Sequence, residues 1–147
     1  MGVIFLDMDG VVRLPPEGDW IQQPPSEYCQ ARMKMLAKVC LQTGAQIVVS
    51  SDWRLMENFN AISSHLQPHL THHIHPDWKT PTIGKRWNEV ECWLADHPEV
   101  SSYAVLEDFK PHFENCPISM EDRIVWCNNR HGLVPQHVAR LIQLLQP

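Results

Sequence analysis

Asp7 and Asp9 are the residues of this chain best placed to do chemistry, because they stand two apart, directly after Val3-Ile4-Phe5-Leu6 and directly before Gly10. Four apolar residues in a row predict a strand buried on both faces, and ligands bind at the carboxyl ends of such strands in open α/β sheets. Alternation along an extended chain turns the two carboxylates the same way, while glycine allows a sharp bend and close approach to a ligand. Two carboxylates in one small volume repel each other unless a hard cation bridges them or one stays protonated, and both situations belong to phosphoryl transfer. A hairpin turn is the competing reading of Asp9-Gly10.

Two further strand ends carry polar groups. Ala45-Gln46-Ile47-Val48-Val49 delivers Ser50 and Ser51 ahead of Asp52-Trp53-Arg54, and Tyr103-Ala104-Val105-Leu106 delivers Glu107 and Asp108. Lys85 and Arg86 lie just before the helix that leads to this last strand. Ser51 has a second reading as a helix cap, since consecutive residues of an extended strand point to opposite sides. Trp53 and Arg54 could offer an aromatic face and a guanidinium to a base or a second phosphate, with core packing and ion pairing as the alternatives. Arg13 and Lys79 are further candidates for outer contacts.

The elements that must position these groups alternate strand and helix. A loop or short flap is expected over residues 13 to 25, where Pro15-Pro16-Glu17-Gly18 and Pro24-Pro25-Ser26 cluster. Ser26 then caps a helix that stops at Gly44. Another helix opens at Asp52, and residues 65 to 82 are expected to form an irregular surface loop, being crowded with His65, His69, His72, His73 and His75 and broken by Pro68, Pro76 and Pro81. That loop is not read as a zinc site, because Pro68 interrupts the spacing between His65 and His69 and no nearby cysteine completes a ligand set. Helix resumes from about Gly84 to His97, a fourth strand covers residues 123 to 127, and a closing helix covers 135 to 145. The alternation implies a parallel central sheet with helices on both faces, a three-layer α/β/α arrangement.

Composition narrows the class. At 147 residues, 44% hydrophobic and 20% charged, the chain is expected to be one globular domain over 1–147. No apolar run is long enough to cross a bilayer and no basic segment precedes a hydrophobic stretch, so a cytoplasmic location is expected. Five cysteines without CxxC spacing disfavour a disulfide framework, and a net charge of -5 disfavours a surface built to coat nucleic acid.

Taken in order, the strand ending Asp7-Met8-Asp9-Gly10, the strand ending in Ser50, the cation at Lys85 or Arg86 and the strand ending Glu107-Asp108 resemble the haloacid dehalogenase (HAD) superfamily of phosphohydrolases. Ile47 to Arg54, Thr80-Pro81, Arg86 with Glu89 and Val90, and Gly132-Leu133 are similar to the HAD domain of Swiss Army Knife RNA repair proteins. The resemblance implies a HAD-like (Rossmannoid) fold and, with only short intervals between the motifs, no large cap domain. It also implies Asp7 as nucleophile, Asp9 as general acid and base, Ser50 and Lys85 as groups that stabilise the transferred phosphoryl, and Ser51, Trp53, Arg54 and Arg86 as substrate contacts. Mg²⁺ is the implied cofactor, held by the Asp7 carboxylate, the Asp9 backbone carbonyl and Asp108, with Glu107 acting through a metal water. In the repair-protein branch the aligned cation is Arg86, which leaves the choice between Lys85 and Arg86 open. The implied substrate is a nucleotide or a phosphorylated nucleic-acid end; a small phosphorylated metabolite, a phosphoprotein, or a catalytically silent Mg²⁺- or phosphate-binding module are the alternatives.

Overall fold

The computed structural model describes residues 1–14, 24–56 and 58–146. Five parallel strands form one sheet in the order β3-β2-β1-β4-β5. They are β1 (Gly2–Leu6), β2 (Gln46–Val49), β3 (Ile74–Lys79), β4 (Ser102–Glu107) and β5 (Ile124–Trp126). The helices are α1 (Glu27–Thr43), α2 (Trp53–Met56), α3 (Phe59–His65), α4 (Arg86–Ala95), α5 (Ile118–Glu121) and α6 (Pro135–Leu145). Among the described residues nothing forms a large cap over the sheet. The apolar run at the start of the chain takes the centre because both its faces are covered. Ile4 and Leu6 pack with Leu36, Val39 and Leu141 on one side, whereas Val3 and Phe5 pack with Val90, Trp93 and Phe113 on the other. Each such side chain fully buried contributes about 1.5–3 kcal/mol, so the strand that carries Asp7 is held firmly from both faces.

Local signals set the boundaries of α1. The Ser26 hydroxyl accepts the Cys29 N–H at 3.2 Å, and Gly44, at φ 72°, donates its N–H to the Cys40 carbonyl at 2.8 Å. The five cysteines are free thiols. No helix among the described residues is long and apolar enough to cross a membrane.

The expected surface loop over 65 to 82 is corrected. It contains the end of α3, a 3-10 turn at Thr71–His73 and the whole of β3. Pro76 obscures the strand in the sequence, yet β3 is an edge strand paired only with β2, where a missing N–H breaks no ladder on the open side. Its pairing is also irregular, shifting register between Ile47↔Ile74 and Val49↔Lys79. The helix expected from Asp52 is split into α2 and α3, the second capped by Asn58, whose side chain accepts the Ala61 N–H at 2.9 Å. The flap expected over 13 to 25 falls largely on residues 15 to 23, which lie outside the described residues.

Candidate active site

The carboxyl ends of β1, β2 and β4 meet because the three strands are neighbours in register. The Asp7 N–H donates to the Leu106 carbonyl at 3.1 Å and the Ser50 N–H to the Leu6 carbonyl at 3.0 Å, so each strand's ladder runs one residue into the site. Beyond Asp7 the chain folds back on itself. The Met8 carbonyl accepts from Val12 and Arg13, and the Gly10 N–H donates to the Arg13 carbonyl at 2.9 Å. Gly10 needs its freedom twice over: its φ is 76°, and a side chain there would meet the Asp108 carboxylate. Gly132 serves the same loop from the far side of the fold. Its φ is 63°, the Val11 carbonyl stands where its side chain would be, and that carbonyl accepts the Leu133 N–H at 2.9 Å.

Asp7, Glu107 and Asp108 offer carboxylate oxygens that all lie within 4.8 Å of one another. Asp7 is 6% exposed and Glu107 wholly buried. Burial, and after it the Glu107 charge, pushes the Asp7 carboxyl from 3.8 up to about 11. Asp108 is raised as well, chiefly by burial. Burial acts upward on Glu107 too, but His112 and the surrounding hydrogen bonds outweigh it and hold this group below its ordinary value. Glu107 Oε1 accepts the Asp108 and Phe109 N–H groups, each at 3.1 Å, while Oε2 lies 3.4 Å from His112 Nδ1, an ion-pair separation without hydrogen-bond alignment. Three crowded carboxyls therefore retain a proton among them unless a cation takes its place. All the donors are hard oxygens, a set that suits Mg²⁺.

Asp9 occupies a different environment. It is half-buried, and its Oδ1 accepts the Trp53 indole N–H at 2.8 Å. Burial raises its carboxyl to about 6, against the opposing pull of that indole hydrogen bond.

The Ser50 hydroxyl is buried and unpartnered, whereas Ser51 Oγ accepts the Trp53 N–H at 3.3 Å and so caps α2. Trp53 and Arg54, expected as substrate contacts, and Arg13, expected as an outer contact, are all buried. Trp53 is 1% exposed and has no free face for a base. The Arg54 guanidinium is committed to Glu89 Oε1 at 2.9 Å and to the carbonyls of Ser51, Thr80 and Pro81, locking the ends of β2 and β3 to α4. Arg13 is also buried, its guanidinium 5.4 Å from the Trp53 ring centre. Lys79 stays exposed, its ammonium 5.2 Å from the Trp78 ring.

Lys85 and Arg86 face a cavity of about 320 Å³ lined also by Asp52, Arg54 and His112. Lys85 is exposed at the N-cap of α4. Arg86 is buried and donates from Nη2 to Asp52 at 2.9 Å, while its Nη1 has no partner. His112 borders both this cavity and Glu107, which places the cations beside the carboxylate cluster. Sequence reasoning missed His112, whose only signal is a histidine shortly after the acidic strand end, and Thr80, whose buried hydroxyl is another unpartnered donor.

No curated protein and no solved structure matches the chain. The sequence model of a family described as the HAD domain in Swiss Army Knife RNA repair proteins matches residues 3–138, a span that contains every group described above. With three strand ends, an orphan serine hydroxyl and two cations gathered at one edge of a parallel sheet, the chain belongs to that family and is a phosphohydrolase of the HAD type.

Proposed function

We propose that this protein is a Mg²⁺-dependent phosphohydrolase that works through an aspartyl-phosphate on Asp7 and takes as substrate a nucleotide or a phosphorylated polynucleotide end. The observation that carries the reading is the closeness of the Asp7, Glu107 and Asp108 oxygens, within 4.8 Å, at the ends of two adjacent strands. Asp7, Asp108 and the Asp9 backbone carbonyl, with Glu107 behind them, would hold Mg²⁺, which would supply charge neutralisation when bound.

This chain's own groups account for the rest. Asp7 attacks phosphorus; the new carboxylate–phosphorus bond forms as the bond to the leaving oxygen breaks, and Asp9 gives that oxygen a proton. In the second displacement Asp9 takes a proton from the attacking water, the Asp7–phosphorus bond breaks, and inorganic phosphate departs. A carboxyl raised to about 6 suits a group that must both give and take a proton near neutrality. The unpartnered Ser50 hydroxyl donates to a phosphoryl oxygen, and Lys85, with Arg86 beside it, offsets the charge spread over those oxygens in the transition state. With no large cap among the described residues the site admits substrates of varied size, and the family's association with RNA repair favours a nucleic-acid phosphate.

Phosphate release is to be measured with Mg²⁺ on mononucleotides, oligonucleotides phosphorylated at either end, and small phosphorylated metabolites. The expected result is Mg²⁺-dependent release from nucleotide or oligonucleotide substrates and none from Asp7→Asn. Turnover by Asp7→Asn close to wild type overturns the mechanism; release confined to a small metabolite overturns the substrate class.

A further inference from the structure

At the opposite edge of α4 a second group of ligand-bearing side chains lies apart from the carboxylate cluster. His75 Nδ1 or Nε2, a ring nitrogen of His97 and a Glu99 oxygen fall within 4.8 Å of one another. We propose that His75, His97 and Glu99, completed by the Asp77 carboxylate, form a zinc site that ties edge strand β3 to the C-terminal end of α4.

The His97 ring is fixed as a ligand needs to be. It stacks on Trp93 with ring centres 3.6 Å apart and planes 10° from parallel. Its Nδ1 lies 2.7 Å from the Trp93 carbonyl, so Nδ1 carries the hydrogen and Nε2 keeps a free lone pair. Nε2 stands 3.3 Å from Asp77 Oδ2. The His75 ring stands edge-on to both, 5.4 Å from His97 and 5.1 Å from Trp93. Its Nδ1 is 3.0 Å from the Asp77 N–H and 3.3 Å from the Asp77 carbonyl. Nδ1 accepts the Asp77 N–H, and metal on Nε2 would move the ring proton to Nδ1 and exchange that bond for one donated to the Asp77 carbonyl, a backbone support usual for a ligating histidine.

Two imidazoles and two carboxylates are a donor set for Zn²⁺ rather than for Mg²⁺. Bonds of about 2.0–2.1 Å to a tetrahedral ion bring ligand atoms to about 3.4 Å from one another, so the described span closes by roughly an ångström, within the reach of the exposed Glu99 and Asp77 side chains. His75 and Asp77 stand two apart on β3, and the His75 ring lies against the Asp77 backbone. An edge strand with interrupted pairing is the element of this fold that gains most from such a tie.

The test is calorimetric titration of metal-stripped protein with Zn²⁺ in the presence of excess Mg²⁺, which keeps zinc from the carboxylate cluster. A parallel titration with Co²⁺ reports coordination through its visible spectrum. Wild type is expected to take up one Zn²⁺ with a Kd of about a micromolar or tighter, to melt at higher temperature when loaded, and to give the intense visible band of four-coordinate Co²⁺. His97→Phe keeps the stack on Trp93 and removes the ligand, so binding is expected to be lost. Glu99→Gln, at an exposed position that leaves folding untouched, is expected to weaken binding at least about tenfold. Wild-type affinity in both variants, or in Glu99→Gln alone where His97→Phe fails to fold, overturns the site, as does an absence of Zn²⁺ uptake by wild type.

Discussion

Replacing Asp7 by Asn is expected to stabilise the metal-free protein while abolishing its turnover. The folded Asp7 carboxyl titrates at about 11 against an ordinary 3.8, because burial and the Glu107 charge disfavour its ionised form. Between those two values the folded protein holds a proton that the unfolded chain has released. Stability contributed by that proton is therefore complete below about pH 4 and declines as pH rises. At 1.36 kcal/mol per pH unit, the interval from about 4 to 7 sets a ceiling of about 4 kcal/mol that the buried acid costs the fold at neutrality. Asn has the shape of the protonated acid, donates an N–H to its carboxylate neighbours and pays none of this. For a chain of this length the ceiling corresponds to a rise in Tm of roughly 10 °C at pH 7.

The assay is thermal and urea unfolding of wild type and Asp7→Asn at pH 4, 5.5 and 7, with chelator and with Mg²⁺. The difference should grow steadily with pH in chelator and nearly vanish at pH 4. In Mg²⁺ it should narrow, because the cation stabilises wild type by about 2.7 kcal/mol at a hundredfold excess over Kd and loses a ligand in the variant. A variant less stable than wild type in chelator at pH 7, or a difference independent of pH, refutes the account of the carboxylate cluster.

Other perturbations test particular contacts. Gly10→Ala drives a side chain into the Asp108 carboxylate at a φ of 76°, so the Mg²⁺ concentration for half-maximal activity should rise at least about tenfold. Gly44→Ala, equally strained but with nothing near it, should weaken α1 and leave the Mg²⁺ titration unchanged. Trp53→Phe removes the indole N–H that lowers the Asp9 carboxyl, and the Asp9 limb of the pH–rate profile should move upward by about one pH unit; an unmoved limb shows that another group titrates there. Arg54→Ala leaves Glu89 buried and unpaired and should cost about 3–5 kcal/mol in urea unfolding, with Arg54→Met/Glu89→Met recovering much of it. Lys85→Ala should lower kcat with little change in KM and Arg86→Ala should mainly raise KM, and the opposite pattern in steady-state kinetics exchanges their roles.

Strand ends were legible in the sequence where burial on both faces made the pattern continuous. Val3 to Leu6, Ile47 to Val49 and Ala104 to Leu106 are apolar runs because the sheet's centre has no solvent side, and each ends on the polar group it carries. β3 was hidden for the converse reason. An edge strand accepts Pro76, exposed Asp77 and a bulge, so neither its period nor its composition resembles that of its neighbours. Side-chain commitments were less readable still. Trp53 and Arg54 sit just past a catalytic strand end, where sequence spacing cannot distinguish an outward aromatic from one that turns in to hydrogen-bond Asp9, or a phosphate-binding guanidinium from one spent on Glu89.

That inward turn explains how two aspartates only two residues apart can differ in role. Asp7 is surrounded by other acids and by apolar β1 and β4, and among the described residues its donors are the Met8 N–H, at 3.0 Å, and the protons of its neighbours. Such a carboxylate is held ready for a cation and a phosphoryl group. Asp9 lies beyond the strand, is less deeply buried, and is eased by the Trp53 indole and the Arg13 charge, so its carboxyl is raised to about 6 rather than about 11. The Trp53 indole holds the Asp9 carboxyl down against the pull of burial, the acidity on which the proposed proton transfer depends. In the proposed mechanism, substrate contact falls to groups that line the neighbouring cavity, Lys85 and Arg86 among them.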